Sequence, residues 1–205
     1  SRPAELAFIG AKGMKKITRI SDPLLKNRNL AKVETVWYKS SYDKRDIQGW
    51  VVYPPDYDSN KKYRFLVENH GGPISNYGNR FSVEIQLYAA ANYIVFYPNP
   101  RGSTSYGAEF ANLLYHNYPG EDYNDVMDGV DYFISKGIAH EDKLYVTGGS
   151  AGGIMTAWII GKNNRFEAAA VIKPVMNWIS KTLVADNYFQ YANSRFPGQP
   201  WENFD

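Results

Sequence analysis

The segment at residues 143–161, KLYVTGGSAGGIMTAWIIG, restricts the available folds more than any other part of the chain. Its first part is apolar and β-favouring, and its last part is apolar over the length of a helix. Between them, glycines at 148, 149, 152 and 153 surround Ser150. A strand that turns straight into a helix leaves little room beside the bend, so small residues must flank the residue at its apex. Gly148-x-Ser150-x-Gly152 meets that demand, and it is the pattern that mounts a nucleophilic serine above a sheet. A glycine-rich helix start that cradles phosphate is the alternative, although the segment lacks the Lys-Ser/Thr ending of that motif.

The rest of the chain supplies the sheet that such a bend needs. VETVWYKS (33–40) and IQGWVVYP (47–54) flank the polar turn SYDKRD and predict an antiparallel hairpin. RFLVENH (64–70), YIVFYP (93–98), KLYVTG (143–148) and EAAAVI (167–172) read as further strands, and YIVFYP is apolar enough to be covered on both faces. Helices are expected at 82–91, with Val83, Leu87 and Ala90 toward one side, at 119–137 and at 153–161. The second has acids crowding its start and Gly137 as its stop. Gly129 inside that helix costs about 1 kcal/mol in propensity, which points to close packing there. Alternating strands and helices indicate an α/β fold with helices on both faces of the sheet. Residues 1–32 differ: two short strands, 4–9 and 16–20, surround a turn, and PLLKNRNLAK follows as a linker.

Totals remove several classes of function. The chain has 205 residues, enough for one full core. Its 23 basic and 21 acidic residues are intermixed, so no basic stripe marks a nucleic-acid partner. No apolar run approaches the roughly 20 residues that cross a bilayer, so no membrane partner is expected. The absence of cysteine excludes disulfides and thiolate chemistry and says little about compartment, with the cytoplasm favoured. The three histidines, His70, His116 and His140, show no paired metal-ligand spacing, and no metal or other cofactor is expected. PGED, at 119–122, reads as ordinary surface acids.

His70-Gly71-Gly72-Pro73 follows a strand and is similar to the loops that lend an amide to an oxyanion hole. The Ala151 and Gly71 backbone amides then converge on the oxygen that gains charge as an acyl carbonyl turns tetrahedral. HGGP (70–73), NPRGSTSYG (99–107), DVMDGVDYF (125–133), GGSAGG (148–153) and PVMNW (174–178) occur in this order. Together they resemble the catalytic domain of the prolyl oligopeptidase family of serine peptidases, in its acylaminoacyl-peptidase and dipeptidyl-peptidase branches. The resemblance covers residues 33–205.

That resemblance implies an α/β-hydrolase fold preceded by a β-propeller. Residues 1–32 are then the propeller's end and connector, and residues 33–205 an N-terminal portion of the catalytic domain that stops before its last strands. It implies hydrolysis of short peptides through an acyl-enzyme on Ser150. His70, Arg101, Tyr106, Val175 and Trp178 are expected to line the substrate pocket or support its loops. Ala151 departs from the larger residue usual at its position, which keeps the amide and loses a side-chain contact. An esterase on the same fold and a non-catalytic interaction domain are the competing functions.

One departure is larger. This fold orders its triad Ser, Asp, His along the chain, yet all three histidines precede Ser150. Asp186 and Asp205 follow it, but an aspartate without an imidazole does not activate a serine. The chain alone is therefore expected to be inactive. The open sheet edge is expected to be covered by the remainder of the same protein, by another chain or by a second copy in a homo-oligomer.

Overall fold

The structure, a computed structural model, describes residues 2–187 and 195–202; Asp205 lies outside them. Six strands form one mixed sheet in the order β3-β4-β6-β5-β7-β8. These are β3 (Val33–Lys39), β4 (Asp46–Val52), β5 (Arg64–Asn69), β6 (Tyr93–Asn99), β7 (Leu144–Gly149) and β8 (Ala168–Ile172). The predicted hairpin pairs antiparallel, with Val36 opposite Gly49, and β4 pairs antiparallel with β6. From β6 across β5 and β7 to β8 the pairing is parallel. Parallel neighbours need long crossovers, here carrying α2 (Val83–Ala90), α4 (Asp122–Ser135) and α5 (Ala151–Lys162). A short α3 (Ala108–Ala111) precedes α4, and α6 (Trp178–Val184) follows β8.

The sheet's two faces are unequally covered. On one, Phe65, Val67, Phe96, Leu144 and Val146 pack beneath Val126, Val130 and Phe133 of α4 and Met155 and Ile159 of α5. The expected close approach at Gly129 is present: a Cβ there would lie 2.5 Å from the Phe96 ring. On the other face, Trp50, Val52, Val95 and Tyr97 pack against Ile85 and Ala89 of α2. That helix turns its other apolar residues outward, and Val83 and Leu87 are exposed. The side they share is the solvent side, because Ile85 and Ala89 fit the groove over β4 and β6.

Beyond α2 this second face is uncovered among the described residues. Leu66, Tyr145, Thr147, Ala168 and Ala170 line a shallow apolar cavity of about 260 Å³. Within the described residues β8 has no outer neighbour, and Ala168, Ala169 and Ala170 are exposed.

The N-terminal hairpin forms a separate two-stranded sheet, β1 (Ala7–Gly10) with β2 (Gly13–Lys16). Its second strand starts three residues before the expected position, because Gly13 at φ 98° closes a tight turn. The expected linker contains a short helix, α1 (Asp22–Leu25). Glu5 accepts hydrogen bonds from Thr18, Ile20 and Ser21, and these hold its carboxyl at about 2. Leu6, Phe8, Ile9, Met14, Ile17 and Ile20 remain exposed. Ala31 is where the chain joins the larger unit: it is buried, and its backbone exchanges two hydrogen bonds with Gln86.

Candidate active site

Ser150 sits at the bend between β7 and α5 with φ 60° and ψ −119°. A non-glycine residue in that region is strained by about 1–3 kcal/mol and persists only where its surroundings enforce it. Here they do. Ser150 N donates to Ile172 O at 3.0 Å, and Ile154 N donates to Ser150 O at 3.0 Å. The bend is closed by backbone packing against the end of β5: a Cβ on Gly152 would lie 2.0 Å from Asn69 O, and one on Gly148 2.4 Å from Gly152 O. Glycine is thus sterically required at 148, 152 and 153, whereas a Cβ on Gly149 would meet nothing nearer than Lys173 Cε at 3.8 Å.

Ala151 is the first residue of α5, so its amide is one of the helix-terminal donors that has no intrahelical acceptor. Gly71 lies beside the serine: a Cβ built on it would be 3.4 Å from Ser150 Cβ and 4.0 Å from Oγ. Ser150, Gly71, Gly149 and Lys173 share the rim of a cavity of about 360 Å³ that also contains Glu68 and Glu84. The structure therefore brings together the serine and both residues expected to donate amides.

His70 is placed as a loop support. Its Nδ1 is 2.7 Å from Gly71 O, and its Nε2 is 2.9 Å from Ser103 Oγ. Burial lowers its pKa, outweighing the Gly71 carbonyl. The loop after β5 is further tied to the 99–107 loop by Thr104 N donating to Ser75 O and Tyr77 N donating to Asn99 Oδ1. Tyr106 joins the same network, donating to Gln48 Oε1 and accepting from Asn99 Nδ2.

Arg101 faces the protein interior and is 3% exposed. It grips Asp125, itself fully buried, through Nε–Oδ2 and Nη2–Oδ1 contacts of 2.8 Å each. Ser40 accepts at 2.9 Å and Asp43 at 3.2 Å. This arginine is a structural clamp between β3, α4 and the 99–107 loop. Val175 and Trp178 pack against Ala151, Ile154, Leu114 and Tyr118. They line an apolar groove of about 690 Å³ with Ile154, Ala157, Trp158 and Met176. That groove opens along α5 and does not include Ser150.

Two acids, one buried and one half-buried, were not visible as site residues in the sequence. Asp122, read there as a surface acid, is 2% exposed. Its carboxyl is pushed up to about 7 by burial, with Asp125 adding to the effect against a hydrogen bond from Gly120. The signal was present in its position: Asp122 precedes Val126 by one helical turn and so lies on the core side. Glu68, in the middle of a strand, is likewise raised to about 7 by burial, although Tyr77 OH donates to it at 3.0 Å. Strand alternation places it with Leu66 on the open face.

The matching family model is the prolyl oligopeptidase family, over residues 79–205. Among curated relatives, the peptidase YuxL of Bacillus subtilis is 40% identical over 192 residues, covering 92% of this chain and 29% of its own length. The chain belongs to the prolyl oligopeptidase family. Dipeptidyl-peptidase 5 of Schizosaccharomyces pombe is 32% identical over 175 residues, covering 83% of this family member and 25% of its own length. Among solved structures, an acylaminoacyl peptidase in complex with Z-Gly-Gly-Phe-chloromethyl ketone superposes with a TM-score of 0.92 at 27% identity, over 99% of this chain and 33% of that one. Uncomplexed Pyrococcus horikoshii acylaminoacyl peptidase gives 0.90 at 28% identity, over 98% and 32%. The α/β-hydrolase peptidase fold is thus established, and the chain spans a quarter to a third of the length of these relatives.

Against that family pattern, the histidines fall in three separate places. His140 pairs with Asp142 at 2.8 Å just before β7, at the far end of that strand from Ser150, about 20 Å away at strand rise. His116 stacks on Tyr115 at 3.9 Å. Among the described residues, the Ser150 hydroxyl has no hydrogen-bonded base. No group of metal-ligating side chains occurs among them either.

Proposed function

We propose that the protein containing this chain is a serine peptidase that cleaves short peptides through an acyl-enzyme on Ser150. The observation that carries the reading is the strained Ser150 elbow with Gly71 beside it. Ser150 Oγ adds to the scissile carbonyl, and the Ala151 and Gly71 amides hold the resulting oxyanion. The amine then leaves, and water releases the acyl group. Val175 and Trp178 brace the first turn of α5 behind the serine and line the apolar groove along that helix.

The proton of Ser150 needs an acceptor, and none of the three histidines is bonded to it. In this reading the general base and its aspartate come from a further part of the same protein, which also covers the open face and the β8 edge. Residues 1–32 form the end of a preceding β-propeller and its connector. An esterase shares the elbow and oxyanion hole, but the relatives this chain matches are named as peptidases.

The test is a fluorophosphonate probe applied to the 205-residue chain and to its full-length parent, each beside a Ser150→Ala control. Labelling of the parent at Ser150 and little or none of the isolated chain is expected. Strong labelling of the chain alone refutes the missing base, and no labelling of the parent refutes the peptidase. A peptide anilide turned over faster than a p-nitrophenyl ester distinguishes peptidase from esterase.

A further inference from the structure

Asn69 ends β5 directly beneath the elbow and is 5% exposed. Its side chain lies on the face of Phe65 and Val67, since alternate residues of a strand share a face. Its Nδ2 donates to Thr147 O at 3.4 Å and to Thr156 Oγ1 at 3.3 Å. A carbonyl can only accept, so Thr147 fixes which branch of the amide is nitrogen. Oδ1, on the opposite branch, is fully enclosed and has no hydrogen-bond partner among the described residues. A buried acceptor left in that state lowers stability.

On the same side of the sheet lies a cavity of about 20 Å³, lined by Asn69, His70, Tyr118, Asp122, Ala151 and Met155 among others. That volume admits one water molecule and little else. Asp122 lines the cavity with Asn69. It accepts from Gly120 N at 2.7 Å, with further backbone hydrogen bonds from Tyr123 and its own amide at the start of α4, and none of the ion pairs among the described residues includes it. Two residues that carry acceptors line one small cavity, Asn69 and Asp122, and a molecule that donates twice would serve both.

We propose that this cavity binds one structural water, which donates one hydrogen to Asn69 Oδ1 and the other to the Asp122 carboxyl. Through it Asn69 and Asp122 act as positioning residues for the elbow. The water links the end of β5 to the start of α4 at the point where both meet α5. Ala151 lines the same cavity, and its carbonyl accepts from Tyr118 OH at 3.1 Å. Gly152 packs on the Asn69 backbone. Fixing Asn69 and Tyr118 therefore fixes the first turn of α5, where the oxyanion amide sits. This positioning role rests on the serine-peptidase reading; the water site does not.

The test has two arms, both on the full-length parent. A crystal structure resolving ordered water is expected to show a single peak within hydrogen-bonding distance of Asn69 Oδ1 and Asp122, and an empty or apolar-filled cavity overturns the site. In the second arm, Asp122→Leu is expected to slow fluorophosphonate labelling of Ser150 about tenfold without changing the half-saturating probe concentration. Asp122→Asn, which keeps hydrogen-bonding groups at the cavity, should recover most of that loss. Labelling of Asp122→Leu at the parental rate, or equal slowing in both variants, overturns the positioning role. The peak is read in the unsubstituted protein, so it decides the site even if Asp122→Leu fails to fold. A parent that never labels at Ser150 refutes the peptidase reading, and the peak still decides the site.

Discussion

Replacing Arg101 by methionine should destabilise the chain strongly, and the geometry says by how much. The side chain is 3% exposed, and Asp125 beneath it is fully buried. The substitution removes both 2.8 Å side-chain contacts and leaves Asp125 with a single donor from this loop, the Arg101 amide at 2.8 Å. An uncompensated buried charge of this kind costs about 3–5 kcal/mol. For a chain of this size each kcal/mol lowers Tm by about 2–4 °C, so the drop is about 10 °C. In urea, with m of about 2–3 kcal/mol/M, the midpoint moves down by about 1.5 M at constant m. Tryptophan fluorescence of the isolated chain, or of the parent if the chain self-associates, reads this directly. Asp125→Leu combined with Arg101→Met should restore much of the loss, since replacing a whole buried pair by apolar groups is often close to neutral. Arg101→Lys should fall between, because an ammonium cannot reproduce the two-point grip. A loss below about 1 kcal/mol in Arg101→Met, or a double variant no better than the single, refutes the clamp.

Gly152→Ala should abolish function before it abolishes folding. Its Cβ would meet a backbone oxygen at 2.0 Å, so the elbow itself must shift, and labelling of the parent at Ser150 should fall about a hundredfold; near-normal labelling refutes the packing argument. Glu68 is raised to about 7 in the fold, so its contribution favours the folded state below the ordinary carboxylate range and is lost as pH rises toward 7. Glu68→Gln should therefore add about 1–2 kcal/mol at pH 8, after discounting for partial exposure, and nothing at pH 4; an equal effect at both pH values in urea titrations contradicts the assignment. The open β8 edge should make the isolated chain self-associate. Ala170→Lys, on the exposed face, should reduce this in sedimentation, and a monomeric unsubstituted chain refutes the edge argument.

The family likeness, the sheet and the elbow were legible in the sequence because each rests on local rules. Apolar runs bounded by turns mark buried strands, and a serine between glycines marks a bend with no space around it. The sequence left open what depends on neighbours. Val83 and Leu87 share one side of their helix as their spacing predicts, and that side faces outward because the groove over β4 and β6 selects Ile85 and Ala89. Nor could chain order distinguish Arg101 as substrate ligand from Arg101 as clamp. That required Asp125, 24 positions away, and Ser40, 61 positions away, to meet it in space.

By itself, then, the sequence determined that a serine stands on a strand-to-helix bend and that every histidine comes before it. Both facts follow from residue type and order. Only the tertiary structure decided that Gly71 stands beside that serine, that His70 is spent on Ser103 and Gly71, and that Asp122 is buried behind the elbow. Burial and partnership are properties of packed surfaces, and packing joins residues that chain order leaves tens of positions apart.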